Sequence, residues 1–252
     1  MTRAPWCTSR CRGVVTLAML AMPMLCHGPA SAQAPDASTC GPVVLTGGFG
    51  PYDYRTELGQ PKRLVEGAHF SPAVEALIGT KRASVGADLD YTLKAFPNHH
   101  RALIALMRYG EKWKTPHPQQ MSYPVECYFE RALRFRPDDT IVRMIYAQFL
   151  THYNRVPEAL EQLGAAQAKA GDNPFTHYNL GMLYVDLKEY DKGLQRAHEA
   201  YRLGFPRPEL RERLAAVGKW READAPKPPA AVSASGSEAR PAADAASDAA
   251  KN

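Results

Sequence analysis

Between residues 71 and 220 apolar side chains return every three to four positions, the period of a helix that buries one face. The pattern predicts helices over residues 72–81, 85–96 and 100–113. Further helices follow through the stretches around Phe129, Tyr146, Leu163, Leu180 and Ala197, with Pro97 and Pro137 as stops. Residues 33–70 lack the period and carry turn formers such as Thr46-Gly47-Gly48-Phe49-Gly50-Pro51. That segment is expected to be irregular, ordered only where Tyr52, Tyr54, Leu64, Val65 and Phe70 meet the helical body. Residues 222–252 are Ala, Pro, Ser and Asp with almost no large apolar side chain, a composition expected to stay disordered.

Within the helical part the chain repeats itself. Ala147, Ala159 and Ala166 are followed 34 residues later by Gly181, Gly193 and Ala200, while Leu150, Leu160 and Leu163 are followed by Tyr184, Leu194 and Ala197. Small residues belong where two helices approach closely, and large ones where the gap must be filled. One period upstream, Phe129, Ala132 and Pro137 stand in the places of Leu163, Ala166 and Gly171. Further upstream the register slips, because Lys114-Thr115-Pro116-His117-Pro118 lengthens a turn by about eight residues.

Asn179-Leu180-Gly181, Tyr184, Tyr190, Gly193 and Ala200, together with Phe129-x-x-Ala132-Leu133-x-Phe135-x-Pro137-Asp138-Asp139, resemble the signature of the tetratricopeptide repeat family. His177 stands where that family usually has Trp, and Phe205-Pro206 displaces the expected Pro by one. The resemblance implies an all-α solenoid of helix-turn-helix hairpins over residues 71–221, with repeats at 140–173 and 174–207 and a cap helix near 208–220. It also implies a concave groove for a protein segment, whose inward positions fall on Met144, Gln148, Thr151 and His152, and on Tyr178, Met182, Val185 and Asp186. Members of the two sets are 34 residues apart, so Met144 is expected beside Tyr178, Gln148 beside Met182 and His152 beside Asp186. Gly50-Pro51-Tyr52-Asp53-Tyr54-Arg55 and Phe96-Pro97-Asn98-His99-His100 are similar to segments of exported bacterial repeat proteins, a likeness that implies no activity.

The start of the chain changes the setting. Arg3, Arg10 and Arg12 precede an apolar run from Val14 to Cys26, and Ala30-Ser31-Ala32 supplies small residues for cleavage. Residues 1–32 read as a signal peptide cut near Gln33, and the run is short for a membrane anchor. Without those three arginines the formal charge falls from +5 to +2, too little for nucleic acid or an anionic membrane to be the main partner. Cys40 and Cys127 then remain in a periplasmic or secreted chain. A disulfide between them is the expectation and two buried thiols the alternative, while the absence of a CxxC pair disfavours zinc.

Chemistry is sparse. The chain has no GxSxG, HExxH or GxxxxGK[ST] motif. His99 and His100 are adjacent and would diverge by about 100° on a helix, so they read as capping or solvated side chains rather than ligands of one metal ion. Glu158 with Glu161, and Asp88 with Asp90, read as exposed helix faces. The expected function is therefore a non-enzymatic interaction module without cofactor or metal, binding a segment of another envelope protein. An accessory subunit of a transport or secretion complex, docking through its outer surface, is the alternative; a hydrolase or metal enzyme with unrecognised residues is the third reading.

Overall fold

The computed structural model describes residues 39–44, 48–79 and 84–223. The expected signal peptide and nearly all of the expected disordered tail lie outside the described residues. Those described form ten α-helices and no strand: α1 (Gln60–His69), α2 (Pro72–Glu75), α3 (Val85–Ala95), α4 (His100–Trp113), α5 (Val125–Phe135), α6 (Thr140–His152), α7 (Val156–Gln167), α8 (Pro174–Asp186), α9 (Tyr190–Arg202) and α10 (Glu209–Ala216).

Side-chain caps set the starts of three of the longest helices. The His99 ring accepts from the backbone N–H of Ala102, Asp139 from those of Ile141 and Val142, and Asn173 from that of Thr176. Each satisfies donors that an isolated first turn leaves unpaired. α6 pairs with α7 and α8 with α9 along their lengths, and α4, α6, α8 and α10 pack each against the next. α8 and α9 approach closely at Gly181 and Gly193. A Cβ on Gly181 would lie 3.3 Å from the Gly193 carbonyl oxygen and 2.5 Å from Leu210 Cδ2 of α10, and one on Gly193 3.4 Å from the Gly181 carbonyl oxygen and 2.9 Å from Val185 Cγ2. Ala147, Ala159, Ala166, Ala197 and Ala200 are buried.

Three of the sequence expectations need correction. Residues 60–69 are helical rather than irregular, although Val65 is the only buried residue of α1. One apolar anchor leaves no period to read, and the helix is held by Val65 packing near Ala95 and Phe96. The helix expected over 72–81 stops at Glu75, where Leu77 turns to a positive φ of 58°. The cap helix is Glu209–Ala216, ended near Gly218 at φ 68°. Trp220 lies beyond it and packs on the Tyr201 and His198 rings.

The N-terminal segment is fastened at two places. Cys40 and Cys127 are joined by a disulfide, their Cα atoms 5.0 Å apart. Beside it the fully buried Arg131 donates to the Cys40 carbonyl at 3.3 Å, and Arg134 to that of Gly41 at 2.9 Å. The second fastening is a buried polar knot. The Asn98 amide donates to Asp53 at 2.7 Å and to Asp139 at 2.9 Å while its oxygen accepts from the Tyr54 N–H. Arg55 and Arg136 close on Asp53 from outside, and His100 reaches Asp139 at 2.9 Å. Burial by itself would raise the Asp53 carboxyl, but hydrogen bonds from Arg55 and Asn98 reverse that and hold it well below the usual range.

Candidate functional site

A groove of about 490 Å³ lies between α4, α6, α8 and the chain entering α10. Its apolar lining comes from Ile104 of α4, Ile141, Met144 and Ile145 of α6, and Phe175, Tyr178, Met182 and Leu183 of α8. Gln148, Asn179, Asp186, Arg207 and Glu209 supply the polar part of the wall.

Five of the eight residues assigned to a groove from the resemblance meet here: Met144, Gln148, Tyr178, Met182 and Asp186. The other three do not. Thr151 turns its hydroxyl back to the Ala147 carbonyl at 2.7 Å. His152, the last residue of α6, lies 3.6 Å from Glu111 of α4, while Asp186 pairs with Arg213 of α10 at 2.5 Å, so each has its partner on another helix. Val185 is buried in the cluster of Leu194 and Ala197, where it fills the space that Gly193 leaves empty.

Tyr178 is wall rather than protruding anchor. Only 5% exposed, it stacks on Phe205 with ring centroids 4.3 Å apart and donates to Glu209 at 3.2 Å. Burial, and then the Glu209 charge, push its phenol above the ordinary value. The protruding aromatic is Phe175, 52% exposed in the first turn of α8. Phe175 and Asn179 escaped the sequence reading, although the turn signal Asp172-Asn173-Pro174 marks where that first turn begins. Ile104 escaped because it stands 40 residues before Met144, outside the 34-residue register.

The rim charges are already paired. Arg207 donates to Glu209 at 2.6 Å and holds that carboxyl below its usual range, and Arg213 answers Asp186. The exposed Gln148 amide hydrogen-bonds to no described residue, and Asn179 spends its amide N–H on the Phe175 carbonyl, leaving its oxygen to accept. The groove thus offers an apolar floor and two amide groups of the kind that meet a peptide backbone. Among the described residues no cluster of three His, Cys, Asp or Glu side chains is placed to hold a metal ion.

His99 and His100 do diverge. His99 is fully buried, not solvated; its Nδ1 caps α4, its ring stacks on Tyr54, and its Nε2 donates to Glu66 at 3.2 Å. Burial, with Lys62 and Arg101 nearby, pushes it down to about 3. The chain matches no protein-family model, no curated protein and no solved structure.

Proposed function

We propose that this chain is an exported, non-enzymatic interaction module of the tetratricopeptide type that holds a mainly apolar segment of another envelope protein in the groove of α4, α6 and α8. The observation that carries the reading is the meeting of Met144, Gln148, Tyr178, Met182 and Asp186 around one groove on successive first helices. Supporting it, α4, α6, α8 and α10 begin at residues 100, 140, 174 and 209, and each packs on the next, the arrangement of stacked hairpins. The Cys40–Cys127 bridge fits an oxidising compartment, and no helix among the described residues is long and apolar enough to cross a membrane. The paired rim charges favour a segment recognised by apolar side chains and backbone over one recognised by a terminal carboxylate.

The test is capture of native partners by the tagged chain after chemical crosslinking. Phe175→Ala with Gln148→Ala is expected to lose them while helical content stays unchanged, since both side chains are exposed. Full retention of every partner would move the function to the outer surface, where changes at Glu161 of α7 or Gln195 of α9 would then be the disruptive ones.

A further inference from the structure

A second pocket, of about 300 Å³, lies away from the groove, where the long α4–α5 connection folds back on α4. Its lining is Tyr109, Trp113, Thr115, His117 and Gln119. We propose that it binds a neutral sugar ring, free or as part of a glycan, independently of the groove.

The connection is unusual within this chain. Residues 114–124 join α4 to α5, whereas three residues, 153–155 and 187–189, join the next two hairpins. The added length is ordered and pinned from both sides. Met121 is buried in the core, Val125 N–H donates to the Pro116 carbonyl at 2.8 Å, and Ser122 N–H to Asp90 at 3.1 Å. The connection exceeds the roughly 2–8 residues usual between packed helices, and ordered surface connections are where binding residues concentrate.

What the pocket presents selects the ligand class. Trp113 leaves its indole 60% exposed at the rim, an apolar plate facing water, with Tyr109 edge-on to it at 6.4 Å. Tyr109 is 8% exposed, yet its hydroxyl hydrogen-bonds to no described residue; the Trp113 indole N–H and the Gln119 amide are likewise free of described partners. A hydroxyl that lines a pocket without a partner among the described residues is open to a ligand or to water. His117 gives its Nε2–H to the Met121 carbonyl at 2.9 Å, which leaves Nδ1 of the neutral ring as an acceptor. None of the five lining residues carries a fixed charge, so nothing there pairs with a phosphate or a carboxylate. A pyranose supplies both halves of the match: a C–H face to lie on the indole, and a ring of hydroxyls that donate to Nδ1 and the amide oxygen and accept from the phenol, the indole N–H and the amide N–H. The volume is at the small end of the range of about 300 to 1,000 Å³ for small-molecule pockets.

The experiment is titration of the full chain with methyl glucoside, methyl galactoside, methyl mannoside, N-acetylglucosamine and its trimer, with adenosine as a flat-ring control. The indole N–H signal of Trp113 is followed by NMR and assigned with Trp113→Phe. At least one sugar is expected to shift that signal with a Kd of about 1 mM or tighter. Trp113→Ala and Gln119→Ala should each weaken binding about tenfold or more, while Trp220→Phe and Phe175→Ala leave it unchanged. Tighter binding of the trimer than of the single sugar would identify a glycan chain as the source, and equal binding a free sugar. The proposal is overturned if no sugar moves the Trp113 signal, if adenosine alone does, or if sugar binding survives Trp113→Ala in a chain of native helical content.

Discussion

At the scale of single residues, burial decides which side chains report on folding and which on binding. Tyr178 is packed against Phe205, so Tyr178→Ala should cost about 3 kcal/mol of stability, read as a lower denaturation midpoint. Phe175→Ala should leave that midpoint almost unmoved, and the reverse order would mean the two aromatics have been assigned to each other's roles. Gly193 tests the close approach. Gly193→Leu should lose about 1–3 kcal/mol by overpacking, because even a Cβ there meets Val185; an unchanged midpoint would show that α8 and α9 do not pack as described.

His99 gives the molecule a pH signature. Its folded value of about 3 lies below the ordinary 6.5, so between the two the unfolded chain binds a proton that the folded chain refuses. Stability is therefore full above about pH 6.5 and is lost as pH falls toward 3, by an amount on the order of a few kcal/mol. The groups around the ring are Glu66, Lys62, Arg101, His100 and Tyr54. Asp53, Asp90 and Asp139 also lose stabilising contacts in acid, but only as pH falls below the ordinary carboxylate range. His99→Asn keeps a capping side chain without a titrating ring and should flatten the stability profile between pH 6.5 and 4.5. A slope equal to the parent's in that window would remove His99 as its source.

At the scale of helices and connections, the readable parts were those governed by local pattern. The bounds of α4 follow from its apolar period, and the close contacts of α8 with α9 from Gly181 and Gly193 standing where Ala147 and Ala159 stood one period before. The unread parts depend on partners far away in the chain. α1 has one buried residue and is shaped by contacts with Ala95 and Phe96. Asp53 and Asn98 were visible only as members of turn-like segments; their meeting across 45 positions follows from the fold and not from any spacing. In the groove, Met144 and Tyr178 line the wall as the family resemblance implies, whereas His152, the last residue of α6, lies 3.6 Å from Glu111 of α4 and outside the lining. The Cys40–Cys127 bridge spans 87 positions, and chain entropy assigns such a closure roughly 4–5 kcal/mol as an upper figure. Reduction should lower the thermal midpoint and make residues 39–44 exchange amide hydrogens faster than α6–α9. Uniform exchange across both regions would show that the bridge does not fasten that segment.

At the scale of the whole molecule, the apolar groove of α4, α6 and α8 and the small pocket at the α4–α5 connection are lined by different residues, so each can be altered without touching the other. Whether the groove holds the partner is decided by photo-crosslinking in the native envelope. A photoreactive residue is placed at Phe175 in one chain and at Gln195, exposed on α9, in another. Position 175 is expected to yield a discrete crosslinked partner that is lost on adding Gln148→Ala with Met182→Ala, and position 195 none. The same partner crosslinking from position 195 and not from position 175 would contradict binding in the groove.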